Sequence, residues 1–264
     1  MILKSRFAAP GYVGAVLLAA VVGFALIAPS IVPGDPLSQS LVKSLAGPDA
    51  AGPFGYDHLG RSLYHRLAHA LRLSPLIAVA AVLTAGAAGL ALGAVAAARG
   101  GWIDRVLALV ADSLLALPGL LMILIVLAIV PGTALGFWAG LSLVLWVEFF
   151  RLTRATARSV LASPAVQATR LLGFGPGYVF RHHLWPEIAP VMLTVGAFGM
   201  ATAIMAIAAL GFVNVGMRAP IPELGLMMVE LLPYWREAPM ALLTPVLAIF
   251  TLLLSLILIV GNRS

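Results

Sequence analysis

The chain has 264 residues, 62% hydrophobic and 10% charged, with mean hydropathy +1.06 and formal net charge +6. A soluble domain is roughly a quarter charged, so this composition excludes one and points to an integral membrane protein. The basic excess reads first as membrane topology rather than nucleic-acid binding. Cysteine is absent, so its usage says nothing of a redox compartment.

Lys4 and Arg6 precede an apolar run at residues 11–31, long enough to cross a hydrocarbon core of about 30 Å. No clear small-x-small cleavage site follows, so the run reads as an uncleaved first span. Residues 35–72 are polar and carry Pro and Gly. Their later part, 61–71, sets Leu63, Leu67, Ala70 and Leu71 on one flank, the pattern of an interfacial amphipathic helix. Residues 73–98 form the second span, with Gly86, Gly89 and Gly93 for close helix packing. A short inner loop, 99–105, leads to the third span at 106–130, which holds Asp112 and is kinked by Pro118. The fourth span, 133–150, carries Glu148 near its inner end, and Arg151, Arg154 and Arg158 mark the return to the inner side. A basic, glycine-punctuated insert occupies 163–186. The fifth span, 188–213, contains Met192, Met200 and Met205; these thioethers read as core packing before a soft pathway lining. Residues 214–238 make a second outer segment, and 239–260 the sixth span. The expected fold is all-α, six transmembrane helices in one domain spanning 1–264, with no internal repeat and no soluble domain.

The charges orient it. Ten of the sixteen basic residues fall on the side of the insert, including Lys4, Arg6 and Arg263, and six on the other. This places both termini in the cytoplasm. Arg61, Arg66 and Arg72 run against the bias, since they lie near the second span on the outer side.

The insert is the stretch around which the rest is arranged. Residues 166–172 are helix-like, 173–177 (Gly-Phe-Gly-Pro-Gly) break the chain, and an amphipathic turn or two runs to Pro186. Polar, broken backbone cannot lie in hydrocarbon. Two short helices about a sharp turn make a shape that docks into a groove of a soluble partner, which would push on the membrane domain.

This stretch resembles the EAA loop of ABC-importer permeases, Glu-Ala-Ala, three residues, Gly, nine residues, Ile-x-Leu-Pro. Gln167-Ala168-Thr169 stands for Glu-Ala-Ala, Gly173 falls at the Gly and Pro186 ends the motif; Ala168, Gly173 and Pro186 match strictly. Phe54 to Ser62, which includes Asp57, Leu59, Gly60 and Arg61, is similar to the G-T-D-x-L-G-R-D signature of dipeptide, oligopeptide and nickel permeases. Gly211 to Gly216, with Pro220 and Gly225 beyond, is similar to that group's S-F-L-G-L-G…P…W-G. The resemblance is to the C-type subunit. It implies a permease subunit in the bacterial inner membrane, working with a homologous second permease, two cytoplasmic ATPase subunits and an extracytoplasmic binding protein. It also implies a substrate among peptides, nickel and metal–chelator complexes. ATP and Mg would sit on the ATPases, with no cofactor on this chain. Two departures stand out. Gln167 lacks the charge that would face an arginine on the ATPase. The polar C-terminal tail of such permeases is also expected to be cut off after Val260.

The remaining chemistry is sparse. Gly-Lys never occurs, so no GxxxxGK[ST] phosphate loop exists, and G-x-S-x-G and HExxH are absent. His65 and His69 share a helix face with His58 nearby, but the set is short of a metal site and reads as polar residues facing water. His182-His183 reads as a solvated pair. Asp112 and Glu148 are the acids inside expected spans. They are candidate pathway residues, set against simple pairing with a neighbouring Arg. In the alternative reading they serve proton coupling in a stand-alone secondary transporter, whose expected sign, an inverted repeat with broken helices, is not found.

Overall fold

The structure, a computed structural model, describes residues 8–261. Lys4, Arg6 and Arg263, on which part of the charge bias rests, lie outside the described residues. Helices account for most of the chain, and no strand occurs among the described residues. Their order is α1 (Ala8–Ile31), α2 (Leu63–Arg99), α3 (Gly101–Leu115), α4 (Gly119–Ile129), α5 (Ala134–Leu161), α6 (Pro164–Leu171), α7 (Pro176–Val179), α8 (Trp185–Phe212), α9 (Leu224–Leu231) and α10 (Pro239–Gly261). Five stretches are long and apolar enough to cross a membrane, and α3 with α4 makes a sixth if the bent pair is one span. The all-α integral membrane architecture expected from composition is what the chain adopts.

Several boundaries differ from the sequence reading. The segment at 61–71 is no interfacial helix. From Leu63 it is the first part of α2, a single helix of 37 residues containing Pro75. At 1.5 Å per residue α2 reaches about 55 Å, well beyond the hydrocarbon core. His65 and Arg66 are buried, and His69 is the histidine of α2 that stays exposed. At Pro118 the interruption is larger than a kink, with α3 and α4 meeting at 88°. Proline removes an N–H, and its ring disfavours helical backbone at Leu117, so the helix stops and restarts. The fourth expected span does not stop near Phe150. α5 runs on through Arg151, Arg154 and Arg158 to Leu161, capped at its start by Thr133 Oγ1, which accepts from Gly136 N at 3.1 Å. Within 214–238, expected as an outer segment with no helix assigned, α9 forms a short helix that buries Leu224, Leu226, Met227 and Leu231.

The glycines of α2 do what their spacing predicts. A Cβ on Gly89 would lie 2.4 Å from Phe149 Cβ, and one on Gly93 2.8 Å from the Phe150 carbonyl. Only bare backbone lets α2 and α5 pack this closely. Gly14 of α1 meets α10 in the same way, 2.7 Å from the Ser255 carbonyl.

α1 and α2 are joined by a different device. Pro29 lies inside α1 and has no N–H for the Ala25 carbonyl one turn earlier. Arg72 supplies the missing donor, its Nε donating to Ala25 O at 2.5 Å and Nη2 to Leu26 O at 2.9 Å. The two carbonyls receive the hydrogens of the Arg72 guanidinium and tie α2 to α1. Arg72→Leu is expected to lower stability by about 1–3 kcal/mol by leaving Ala25 O unpaired. In a Pro29→Ala background, where the helix bonds that carbonyl itself, most of this loss should vanish. Thermal unfolding of the detergent-solubilised chain measures both.

Candidate functional site

The insert joins α5 to α8 and has two limbs. α6 begins at Ser163, whose Oγ accepts from Val166 N at 3.4 Å, with Pro164 in the first turn where its missing N–H does no harm. It ends in a tight turn: Gly173 N donates to Arg170 O at 3.0 Å and Phe174 N to Thr169 O at 3.3 Å. Gly173 has φ +84°, and nothing lies within 4 Å of where its Cβ would be. It is therefore glycine for its backbone, not for space.

The second limb departs from the sequence reading. Pro186 ends no helix. α7 continues through a π-helical stretch, Phe180–Leu184, into α8, giving one unbroken run from Pro176 to Phe212. The widened turn immediately precedes the proline, where the helix has to adjust for the absent N–H. Buried Val166, Val179, Leu184 and Ile188 root the insert in the bundle. Its tip is bare: Leu171 is 90% exposed and Leu172 77%, with Phe174 also exposed, and Arg170 and Arg181 stand exposed on either limb. This is an apolar tip framed by cations.

Gln167, Ala168, Thr169 and Gly173 come together on the first limb and its turn, whereas Pro186 stands apart on the second. Gln167 Nε2 donates to Ala162 O at 3.3 Å, a bond that a glutamate could not donate. Thr169 Oγ1 lies 2.9 Å from His183 Nε2, so the two limbs touch. No spacing rule pairs these two positions, and His183 is not the free solvated residue expected.

At the opposite end, Asp57, Leu59, Gly60 and Arg61 form one turn. Asp57 Oδ1 accepts from Leu59 N and Arg61 N, each at 2.9 Å, and its Oδ2 from Arg61 Nε at 2.6 Å. Gly60 has φ +71°, and a Cβ there would lie 1.8 Å from the Ser40 carbonyl. Arg61 Nη2 reaches Glu230 Oε2 at 2.9 Å, and Arg66 Nη2 reaches the same oxygen at 2.5 Å. Arg66 Nη1 stands 3.5 Å from Asp57 Oδ2. The three residues of the first segment are 1% exposed and Glu230, at the end of α9, 14%, so two arginines and two carboxylates balance in near-complete burial. Burial of this kind is tolerable only when charges pair and their hydrogens are used. Arg66 stood out in the sequence only as a charge on the wrong side, and its pairing with Glu230 was not foreseen, since nothing in spacing links positions so far apart.

The glycines of the third motif also converge. A Cβ on Gly225 would lie 2.0 Å from Ala208 O, and one on Gly211 2.2 Å from Glu223 Oε2. Glu223 is fully buried and caps α9, its Oε1 accepting from Gly225 N and its Oε2 from Leu226 N, both at 2.9 Å. In the segment before α2, Lys43 and then Tyr56 hold the Asp49 carboxyl well below the usual range, through bonds of 2.7 Å and 2.6 Å. That contribution to local order is present above the ordinary carboxylate pKa and is lost as pH falls below it.

Asp112 and Glu148 are both exposed on the surface of the isolated chain and form no ion pair among the described residues. Asp104, not singled out from sequence, is the acid that pairs: Arg154 grips it through Nε at 2.5 Å and Nη2 at 2.8 Å, and Arg158 bonds it as well. His65 Nε2 lies 2.7 Å from Val32 O, His58 stacks on Tyr234, and His69 is exposed. Among the described residues, no three His, Cys, Asp or Glu side chains are grouped to hold a metal ion.

Residues 89–263 match the model of the binding-protein-dependent transport system inner membrane component family. The chain is 29% identical over 242 residues to a dipeptide transport system permease protein of Alkalihalophilus pseudofirmus, covering 92% of this chain and 80% of that one. It is 31% identical to a di/tripeptide transport system permease protein of Pseudomonas aeruginosa, covering 86% and 78%. Against a nickel transport system permease protein of Escherichia coli it is 29% identical, covering 83% and 79%.

Glu230→Ala is expected to destabilise the solubilised chain by about 3–5 kcal/mol, because it leaves two buried guanidiniums sharing one carboxylate. Adding Arg66→Met should recover part of that loss rather than add to it, as read by thermal unfolding.

Proposed function

Because this chain belongs to the binding-protein-dependent transport system inner membrane component family, we propose that it is a membrane-spanning subunit of an ATP-driven importer in the bacterial inner membrane. It has no catalytic site of its own. ATP and Mg are bound by two cytoplasmic ATPase subunits, a homologous second permease completes the membrane pair, and an extracytoplasmic protein delivers the substrate. Both termini are cytoplasmic, and residues 1–264 work as a single permease domain. Peptides, nickel or metal–chelator complexes are the proposed cargo. The relatives' names speak for peptides and nickel, and against a carrier that works alone.

One observation carries the coupling role: an apolar tip, Leu171 and Leu172, held almost fully exposed beyond a rooted, polar two-limbed insert. Two leucines in water cost a few kcal/mol unless something covers them. A groove on the ATPase is the cover proposed here. Gln167, Ala168, Thr169, Gly173 and Pro186 shape the docking element. Closure of the ATPases would then move α5 and α8, the helices that the insert joins.

The turn of Asp57, Leu59, Gly60 and Arg61 lies on the extracytoplasmic side, where the binding protein docks. Asp112 and Glu148 face the water-filled path rather than lipid, since an unpaired acid against acyl chains is costly.

Purification of the tagged chain from native membranes, with identification of the co-purifying subunits, tests this reading. The parent should bring down an ATPase. Leu171→Asp with Leu172→Asp should reduce that recovery at least about tenfold, as expected for losing two buried leucines from an interface. Recovery of the second permease should be unchanged. Equal ATPase recovery from parent and variant would contradict the proposed docking.

A further inference from the structure

The two limbs of the insert belong to different helices of the bundle. α6 follows α5 through the Ser163 cap, and α7 runs without a break into α8. Beyond the Gly173 turn, a bond between Thr169 and His183 ties them. The Thr169 hydroxyl has one hydrogen, directed at Ala165 O at 2.8 Å. Its oxygen therefore accepts from His183, and His183 Nε2 carries the proton in this 2.9 Å bond. Both side chains are half-buried, away from the exposed tip.

The π-helical stretch puts His183 in place. A widened turn rotates the residues that follow relative to an uninterrupted α-helix. His183 sits inside that turn, Phe180–Leu184. His182, its neighbour, is used differently. Its Nδ1 lies 3.1 Å from Tyr178 O and its ring stacks on Tyr178 at 4.0 Å, which in turn stacks on Phe174 at 4.3 Å. The stack fastens the hinge loop to the second limb, and the Thr169–His183 bond fastens the first limb to the same unit.

We propose that Thr169 and His183 form a clasp that makes the insert a single lever, so that a push on the tip reaches α5 and α8 together. Both are positioning residues. Without the clasp, Gly173 is a free joint, and movement of one limb need not carry the other. The inference rests on the coupling role proposed above and adds to it the residues that transmit the motion.

The chain has no cysteine, so it adds no thiol of its own to an introduced spin-label pair, and the chain can be labelled before the complex is assembled. Leu135→Cys and Val213→Cys, both exposed, mark the far ends of α5 and α8. The experiment uses the full chain in the complex purified with its ATPase, in nanodiscs, and compares the label distance without nucleotide and with ATP plus vanadate. The parent and Thr169→Ser, which keeps the hydroxyl, should show the same shift. In Thr169→Val and in His183→Phe the population that shifts should fall about fivefold, the equivalent of one ordinary hydrogen bond. In His183→Phe, a position outside the docking set, ATPase recovery should stay at the parent level. The double variant should be no worse than either single one. A full shift in Thr169→Val and His183→Phe, or loss of ATPase recovery in His183→Phe, would overturn the clasp while leaving the docking role intact. A parent that recovers no ATPase would overturn the docking role, and the clasp with it.

Discussion

Two arginines and two carboxylates, buried together where the first long interhelical segment meets α9, fix the end of the molecule opposite the insert. Such a cluster is permitted only as a whole. Any member left alone would carry an uncompensated charge in a medium of low dielectric, where solvation cannot return what pairing supplies. The turn at Asp57, the start of α2 and the end of α9 must therefore take their positions jointly. Asp57 sets the turn by accepting the Leu59 and Arg61 amides, and Gly60 permits it by its positive φ. Glu230 can reach the arginines because α9 is seated on α8 through Gly211 and Gly225. The glycines of one motif thus serve the charges of another.

The insert end is built on the opposite principle. Its roots are apolar, its tip is exposed, and its internal bonds are few and single. Nothing there is over-determined except the Gly173 turn. A rigid end and an exposed, clasped end fit the lever proposed for the insert. Arg154 and Arg158, near the insert end of α5, close on Asp104 of α3 and tie the two helices there.

Much of this was legible in the sequence. Composition and hydropathy pointed to the membrane class, Gly86, Gly89 and Gly93 announced close packing, and Pro118 announced a kink where the helix in fact breaks. The insert stood out because Gly173 and Pro176 interrupt a basic run between apolar ones. What stayed hidden was long-range or depended on context. Arg61, Arg66 and Arg72 looked like violations of the charge bias because their partners are remote: Glu230 for the first two, and for Arg72 a carbonyl vacated by Pro29. A single-residue charge count cannot see that Arg61 and Arg66 are paired with acids within the fold, or that Arg72 is held by carbonyls. Pro186 was misplaced as a helix end because a π-helical turn absorbs it, and no local propensity marks such a turn. α9 is eight residues long and lies outside every expected span, so hydropathy windows pass over it. Asp112 and Glu148 drew attention by composition alone, while Asp104, at the edge of a short loop, makes the bonds.

The central claim is that a cytoplasmic ATPase covers the tip of the insert. A membrane-impermeant maleimide on Leu172→Cys tests it most directly, since the chain offers no other thiol. The account predicts no labelling in intact cells and little in inside-out vesicles that retain the ATPase, then strong labelling once the ATPase is stripped away. Labelling from outside intact cells would contradict the topology. Labelling that is equally strong with and without the ATPase would contradict the docking.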